Sequence, residues 1–124
     1  MVKIATTELK GRQLDWAVAK VKGWLEIPNN PVTRPESYTL RPSSDNGVGG
    51  SILDQYDISV WLTFDGLSSK GKWSAAMPDW FDEDDPTKPT DPEAAYGDTR
   101  REAGMRALVR HELGDEVDIP EELT

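Results

Sequence analysis

Two stretches of helical periodicity, one early and one late in the chain, most constrain what it can fold into. Leu14, Ala17, Val18, Val21 and Leu25 recur at i, i+3, i+4 and i+7 spacing. That spacing puts all five on one face of a helix beginning after Thr7. In the second stretch, Met105, Leu108, Val109 and the Glu112/Leu113 step mark one face, with Arg100, Arg101, Arg106 and Arg110 largely off it. Thr99 followed by Glu102 has the spacing of a capping box, so the second helix is expected to start there. Gly23 and Gly114 stand where the two helices are expected to end.

Helical stripes of this width must be buried against something, and the intervening sequence offers strands. In "DISVWLTF" (57–64), Ile58, Val60, Leu62 and Phe64 alternate with Ser59, Trp61 and Thr63. This is the period of a half-buried strand, with Trp61 out of place on the polar face. "DGLSSKG" reads as a turn and "KWSAAM" as the returning strand of a hairpin. "VKIAT" at the start, "SYTLRP" before residue 43 and "DEVDIP" at the end supply further short strands, with Val117 and Ile119 able to rejoin a sheet. Residues 27–37, with three prolines and two adjacent asparagines, read as an irregular connection. The expected fold is α+β: a small antiparallel sheet of three to five strands packed with two α-helices, in a single domain over residues 1–124.

Residues 78–95 depart from this regularity. Seven acids face one lysine there, so the segment holds −6 of the net charge of −9, and Pro86, Pro89 and Pro92 recur every third position. It reads as an exposed, partly mobile acidic loop. Asp79, Trp80, Phe81, Asp82, Glu83, Asp84 and Asp85 form its densest part, "DWFDEDD". EF-hand spacing is absent, and aromatics flanked by acids suit docking to a basic protein surface better than holding a metal.

Charge and composition exclude several classes. A net charge of −9 repels nucleic-acid backbones, so no direct nucleic-acid binding is expected. No stretch is apolar enough for a membrane span, and "MVKIATTELKG" has no basic region followed by an apolar run, so a secretory signal is not expected. The absence of cysteine removes disulfides, thiolate metal sites and cysteine nucleophiles. His111, the single histidine, belongs to no metal or triad pattern and reads as a surface or cap residue. Neither a catalytic set nor a cofactor is expected, and the chain leans away from being an enzyme.

"SSDNGVGGSILD", Ser43 to Asp54, raises a different question. It is neither a Walker motif nor a dinucleotide fingerprint, and it reads as a tight glycine-rich loop. Its glycines would also let backbone N–H groups approach a ligand, with Arg41, Ser43 and Ser44 as nearby donors. Trp16 lies about 200° from Leu14 around its helix, away from the apolar stripe, so either the fold covers it or a partner does. Five tryptophans are more than a core of this size needs, and tryptophan is enriched at binding surfaces.

Three segments together, "ELKGRQLDWAVAKVKGW", "YTLRPSSDNGVGGSILDQYDI" and "YGDTRREAGMRALVRHELGDEVDIPEEL", resemble the NinX-like family of phage proteins. That family shows a "G-x-x-LDWAVA" helix, a "PS-(T/S)-DW-x-x-GGP-(I/L)-I" segment and an "AMR-x-x-V-x-x-x-LGDEV" ending, in this order. Asn46 stands where the family often has Trp, and Ser51 where it often has Pro. Residues 78–95 match no part of this pattern and read as an insertion of this member. The resemblance implies an accessory protein of a tailed phage or prophage acting in the bacterial host cytoplasm, and it brings no chemistry with it. It singles out Asp15, Trp16, Ser43, Ser44, Asp45, Gly49 and Gly50 as the shared polar positions, which together with Arg41 form a candidate ligand or partner site.

The leading expectation is a non-enzymatic accessory protein that binds and modulates a host protein through its acidic surface, with counter-defence, even by mimicry of DNA, as one such role. The alternative is a small-ligand, nucleotide-like binder using Trp16 and the Arg41–Gly50 segment. A homodimer formed through a helix face is compatible with either.

Overall fold

Seven consecutive residues of the last helix, 103–109, are buried, so that helix is wrapped on every side. The computed structural model describes residues 1–23, 42, 46–62, 73–85, 87–90 and 95–123. Three α-helices occur among them: α1 (Gly11–Lys22), α2 (Asn46–Gln55) and α3 (Arg100–Leu113). Five short strands make two antiparallel sheets. β1 (Val2–Ala5) pairs with β5 (Glu116–Ile119), and β2 (Ser59–Leu62), β3 (Trp73–Ala76) and β4 (Tyr96–Gly97) form the other in that order. The α+β class is as expected, with two small sheets in place of one and three helices in place of two.

Three of the four ends of α1 and α3 follow their sequence signals; the start of α1 does not, because Thr7 lies in a 3-10 turn (Thr6–Glu8) and the helix begins at Gly11 after Lys10, with no side-chain cap. Gly23 closes α1 with φ 76°, a left-handed conformation that costs glycine nothing. The Thr99 hydroxyl accepts a hydrogen bond from the Glu102 N–H at 3.1 Å, capping α3. Gly114 stops α3, and its N–H reaches the Arg110 carbonyl at 3.0 Å.

β5 alternates exposed and buried residues, Glu116 and Asp118 outward, Val117 and Ile119 inward. Its register with β1 sets Val2 opposite Ile119 and Ala5 opposite Glu116. The hairpin read from "DISVWLTF" and "KWSAAM" is present as β2 against β3, with Ser59 opposite Ala76 and Leu62 opposite Trp73. Thr63 and Phe64, the turn after them, the connection at 27–37 and all of the "SYTLRP" strand but Pro42 lie outside the described residues.

Small residues set how closely α3 approaches the three-stranded sheet. Ala75, Ala95, Ala103 and Ala107 are buried together. Leu9, Leu14, Val18, Met105, Leu108 and Ile119 are among the larger side chains of the same core. Arg106 was expected off the apolar face and is instead 7% exposed. Its Nε donates to the Leu9 carbonyl at 2.7 Å, its Nη1 to the Tyr96 carbonyl at 2.8 Å, and Nη1 meets Glu102 at 3.0 Å. Burial of a guanidinium is tolerable only with this degree of satisfaction, and here it ties α3 to two other parts of the chain.

The largest departure is α2. Residues 46–50, read as a loop, are the first turn and more of a ten-residue helix. Glycine lowers helix propensity by about 1 kcal/mol relative to alanine, so local preference opposes this helix. Packing reverses the outcome: Ile52 is buried, and Val48, Leu53 and Tyr56 pack against the core. The helix ends in a Schellman arrangement. The Ile58 N–H reaches the Leu53 carbonyl at 2.9 Å, and Asp57, with φ 52°, takes the left-handed position. Asp57 is therefore a helix cap, and the strand begins at Ser59.

Candidate functional site

The shared-pattern residues of α1 and α2 are placed by core packing. α1 is buried on six consecutive positions, Leu14 to Ala19, because it packs against both α3 and β5. Trp16, on the helix flank away from Leu14, is thus covered by the fold and is 6% exposed, with Lys20 Nζ 5.8 Å from its ring centroid. Asp15 beside it is buried at 3% exposure. Gly49 is buried on α2, where a Cβ would run into the Pro42 carbonyl oxygen and approach Arg101 Cγ to 3.1 Å. Gly50 is half-buried, and a Cβ there would meet nothing within 4 Å. Arg41, Ser43, Ser44 and Asp45 lie outside the described residues. Trp16 and Ile52 of α2 belong to one core cluster, and Lys22 Nζ donates to Gln55 Oε1 at 2.6 Å, so α1 and α2 are joined through side chains.

The acidic segment, read as an exposed, partly mobile loop, is hydrogen-bonded within itself over its described residues. A 3-10 turn, Pro78–Trp80, leads into an isolated antiparallel bridge between Phe81 and Pro89. Thr90 donates to the Trp80 carbonyl through both its N–H at 2.8 Å and its hydroxyl at 2.9 Å. The Asp82 N–H reaches the Lys88 carbonyl at 2.9 Å. Inside this frame the aspartates make the turns: Asp82 Oδ1 accepts from the Asp84 N–H at 2.9 Å, and Asp85 Oδ1 accepts from the Thr87 N–H at 3.0 Å and hydroxyl at 2.6 Å. The Thr87 hydroxyl and N–H hold the Asp85 carboxyl below the ordinary carboxylate range. Glu83, Asp84 and Asp85 stay exposed at the tip, while Trp80 and Phe81 are half-buried.

α3 anchors this structure through His111. Its Nε2 lies 2.9 Å from Asp79 Oδ2 and its Nδ1 3.2 Å from Glu112 Oε1. The Trp80 ring sits 6.0 Å from the imidazole, tilted by 54°. The hydrogen bond to Asp79 raises the histidine pKa; partial burial opposes the rise, and Glu112 adds to it. Sequence spacing could not show this, because Asp79 is 32 residues away.

Between β2 and the acidic turn lies an open groove of about 510 Å³, lined by Ser59, Trp61, Phe81, Thr87 and Pro89. Trp61 is the residue whose position broke the alternation of its strand. It now has a place among the residues that line the groove, together with Phe81. No group of three or more His, Asp or Glu side chains is arranged to hold a metal among the described residues. Nor is any helix among them long and apolar enough to cross a membrane.

A comparison with curated proteins gave no match. A family model described as "Bacteriophage P22, NinX" matches residues 5–112. The matched span runs from the end of β1 almost to the end of α3 and encloses the acidic segment. By that match, over most of its length, the chain belongs to the NinX family of phage proteins.

Proposed function

We propose that this phage accessory protein acts in the host cytoplasm as a non-enzymatic binder of a host protein, docking its acidic segment on a basic surface. The observation that carries this reading is the construction of the segment. Internal hydrogen bonds and the His111 anchor hold the described part of its backbone, and Glu83, Asp84 and Asp85 are exposed at its tip. Carboxylates carried on a hydrogen-bonded backbone lose less conformational freedom on binding than those of a solvating tail. The net charge of −9 adds long-range steering toward a positive partner. A nucleotide-like ligand stacked on Trp16 has no comparable support, because that ring is 6% exposed and belongs to the core.

The test is capture from host lysate. The wild-type protein is expected to retain a specific partner at low salt and release it as salt rises, since screening weakens exposed charge pairs. A Glu83→Gln/Asp84→Asn variant is expected to lose that partner while keeping its melting temperature. Equal capture by both proteins, or none above background by either, overturns the reading. The identity of the captured protein decides whether the role is counter-defence.

A further inference from the structure

We propose that the groove between β2 and the acidic turn receives an arginine side chain from a basic peptide, stacked against Trp61 and Phe81 with the turn's carboxylates around its guanidinium. This rests on the reading of the acidic segment as a protein-docking surface, and it names the place and the chemistry of recognition.

Three observations select a cation. Two of the five described lining residues are aromatic, and aromatic faces attract cations through the ring quadrupole. Carboxylates adjoin the groove: Thr87, which lines it, donates its hydroxyl to the exposed Asp85 carboxylate at 2.6 Å, with Asp84 and Glu83 next along the chain. The Asp85 carboxyl is also held ionised to lower pH than usual, so the charge is dependable. The volume of about 510 Å³ falls within the range of specific binding sites and exceeds what one side chain fills, leaving room for its peptide neighbours.

The same features disfavour other occupants. An anionic ligand would face those carboxylates, and a second copy of the chain would bring its own net charge of −9. Arginine is favoured over lysine because guanidinium is planar, stacks on rings, is more weakly hydrated and pairs with a carboxylate through two hydrogen bonds. The molecule already sets cations of both kinds against aromatic rings: the Arg100 guanidinium lies 5.5 Å from the Trp73 ring centroid, and Lys22 Nζ 5.3 Å from that of Tyr56.

The experiment is an NMR titration of the full chain at low salt with two probes, an acetylated and amidated glycine–arginine peptide and a glycine–lysine peptide of equal length and charge. The Trp61 indole N–H signal, assigned with Trp61→Phe, is expected to shift saturably. The arginine peptide is expected to bind at least about threefold more tightly than the lysine peptide. Ser59→Lys, which sets a resident cation in the groove from an exposed position, is expected to weaken binding about tenfold, a difference of about 1.4 kcal/mol, with the melting temperature unchanged.

Equal binding of the two peptides, or binding indifferent to Ser59→Lys, overturns the groove while leaving the acidic tip as a docking face. Absence of binding by either peptide also overturns it, and the lysate capture then decides the docking face separately. A dimer seen by sedimentation that Ser59→Lys dissolves would make the occupant a second copy and overturn the proposal.

Discussion

Gly49 and Gly50 sit side by side in α2 and answer to different constraints. At Gly49 the Pro42 backbone and the Arg101 side chain occupy the space a Cβ would need, whereas Gly50 faces open space. Gly49→Ala is expected to cost about 1–3 kcal/mol through forced repacking. Gly50→Ala is expected to gain up to about 1 kcal/mol from helix propensity, both read by urea denaturation. A Gly50→Ala protein that is stable yet fails to capture its partner would show that this glycine serves binding. At His111 the geometry predicts a pH dependence. Its folded-state pKa lies above the ordinary value of 6.5, so its contribution to stability is fully present below about pH 6.5 and fades as pH rises through the raised value. His111→Gln is expected to flatten the melting-temperature profile across that window. A variant whose profile still parallels the wild type would remove the Asp79–His111 contact from the account of how the acidic segment is anchored.

At the scale of elements, α2 shows where reading by residue type runs out. Its apolar positions Val48, Ile52 and Tyr56 keep helical spacing, so the period is present in the sequence. Three glycines in five positions, 46–50, mask it, because they speak for a loop until a core exists to hold the helix. The cap at its end is testable. Asp57 takes a left-handed φ of 52°, which glycine adopts without a Cβ penalty. Asp57→Gly is expected to stabilise the protein by about 0.5–1 kcal/mol, raising its urea midpoint. No gain would mean that the Asp57 side chain offsets its own backbone strain. The elements with uncluttered signals were legible: α1 and α3 from their period, the end of α1 from Gly23, the start of α3 from the Thr99 cap, and β5 from the alternation of Val117 and Ile119. The acidic segment was legible as acidic but not as built, because its frame consists of contacts such as Thr90 with Trp80, between residues that neither periodicity nor propensity connects.

For the whole molecule, closure comes from the pairing of β1 with β5. The Thr6 N–H donates to the Asp115 carbonyl at 2.8 Å, continuing the contact beyond the strands. Ile119 is fully buried in the common core. Ile119→Ala is expected to lower stability by about 2–5 kcal/mol, and one cooperative transition shared by tryptophan fluorescence and circular dichroism would show that β5 belongs to the same folding unit as α3. A fluorescence transition left in place while β-structure melts earlier would instead make the two-stranded sheet a separate unit.

The sequence by itself determined the α+β class, the two longer helices with every end but the start of α1, the acidic character of residues 78–95 and the family resemblance, since each rests on local spacing, local composition or a run of residues. Tertiary structure alone decided that Trp16 is core, that Arg106 is an internal tie, that residues 46–50 are helical and that Trp61 and Phe81 share a groove beside anchored carboxylates. Each of those outcomes depends on which distant residues arrive at the same place. Burial and hydrogen-bond satisfaction are properties of that arrangement, and they outweigh the preference of about 1 kcal/mol that a residue carries by itself.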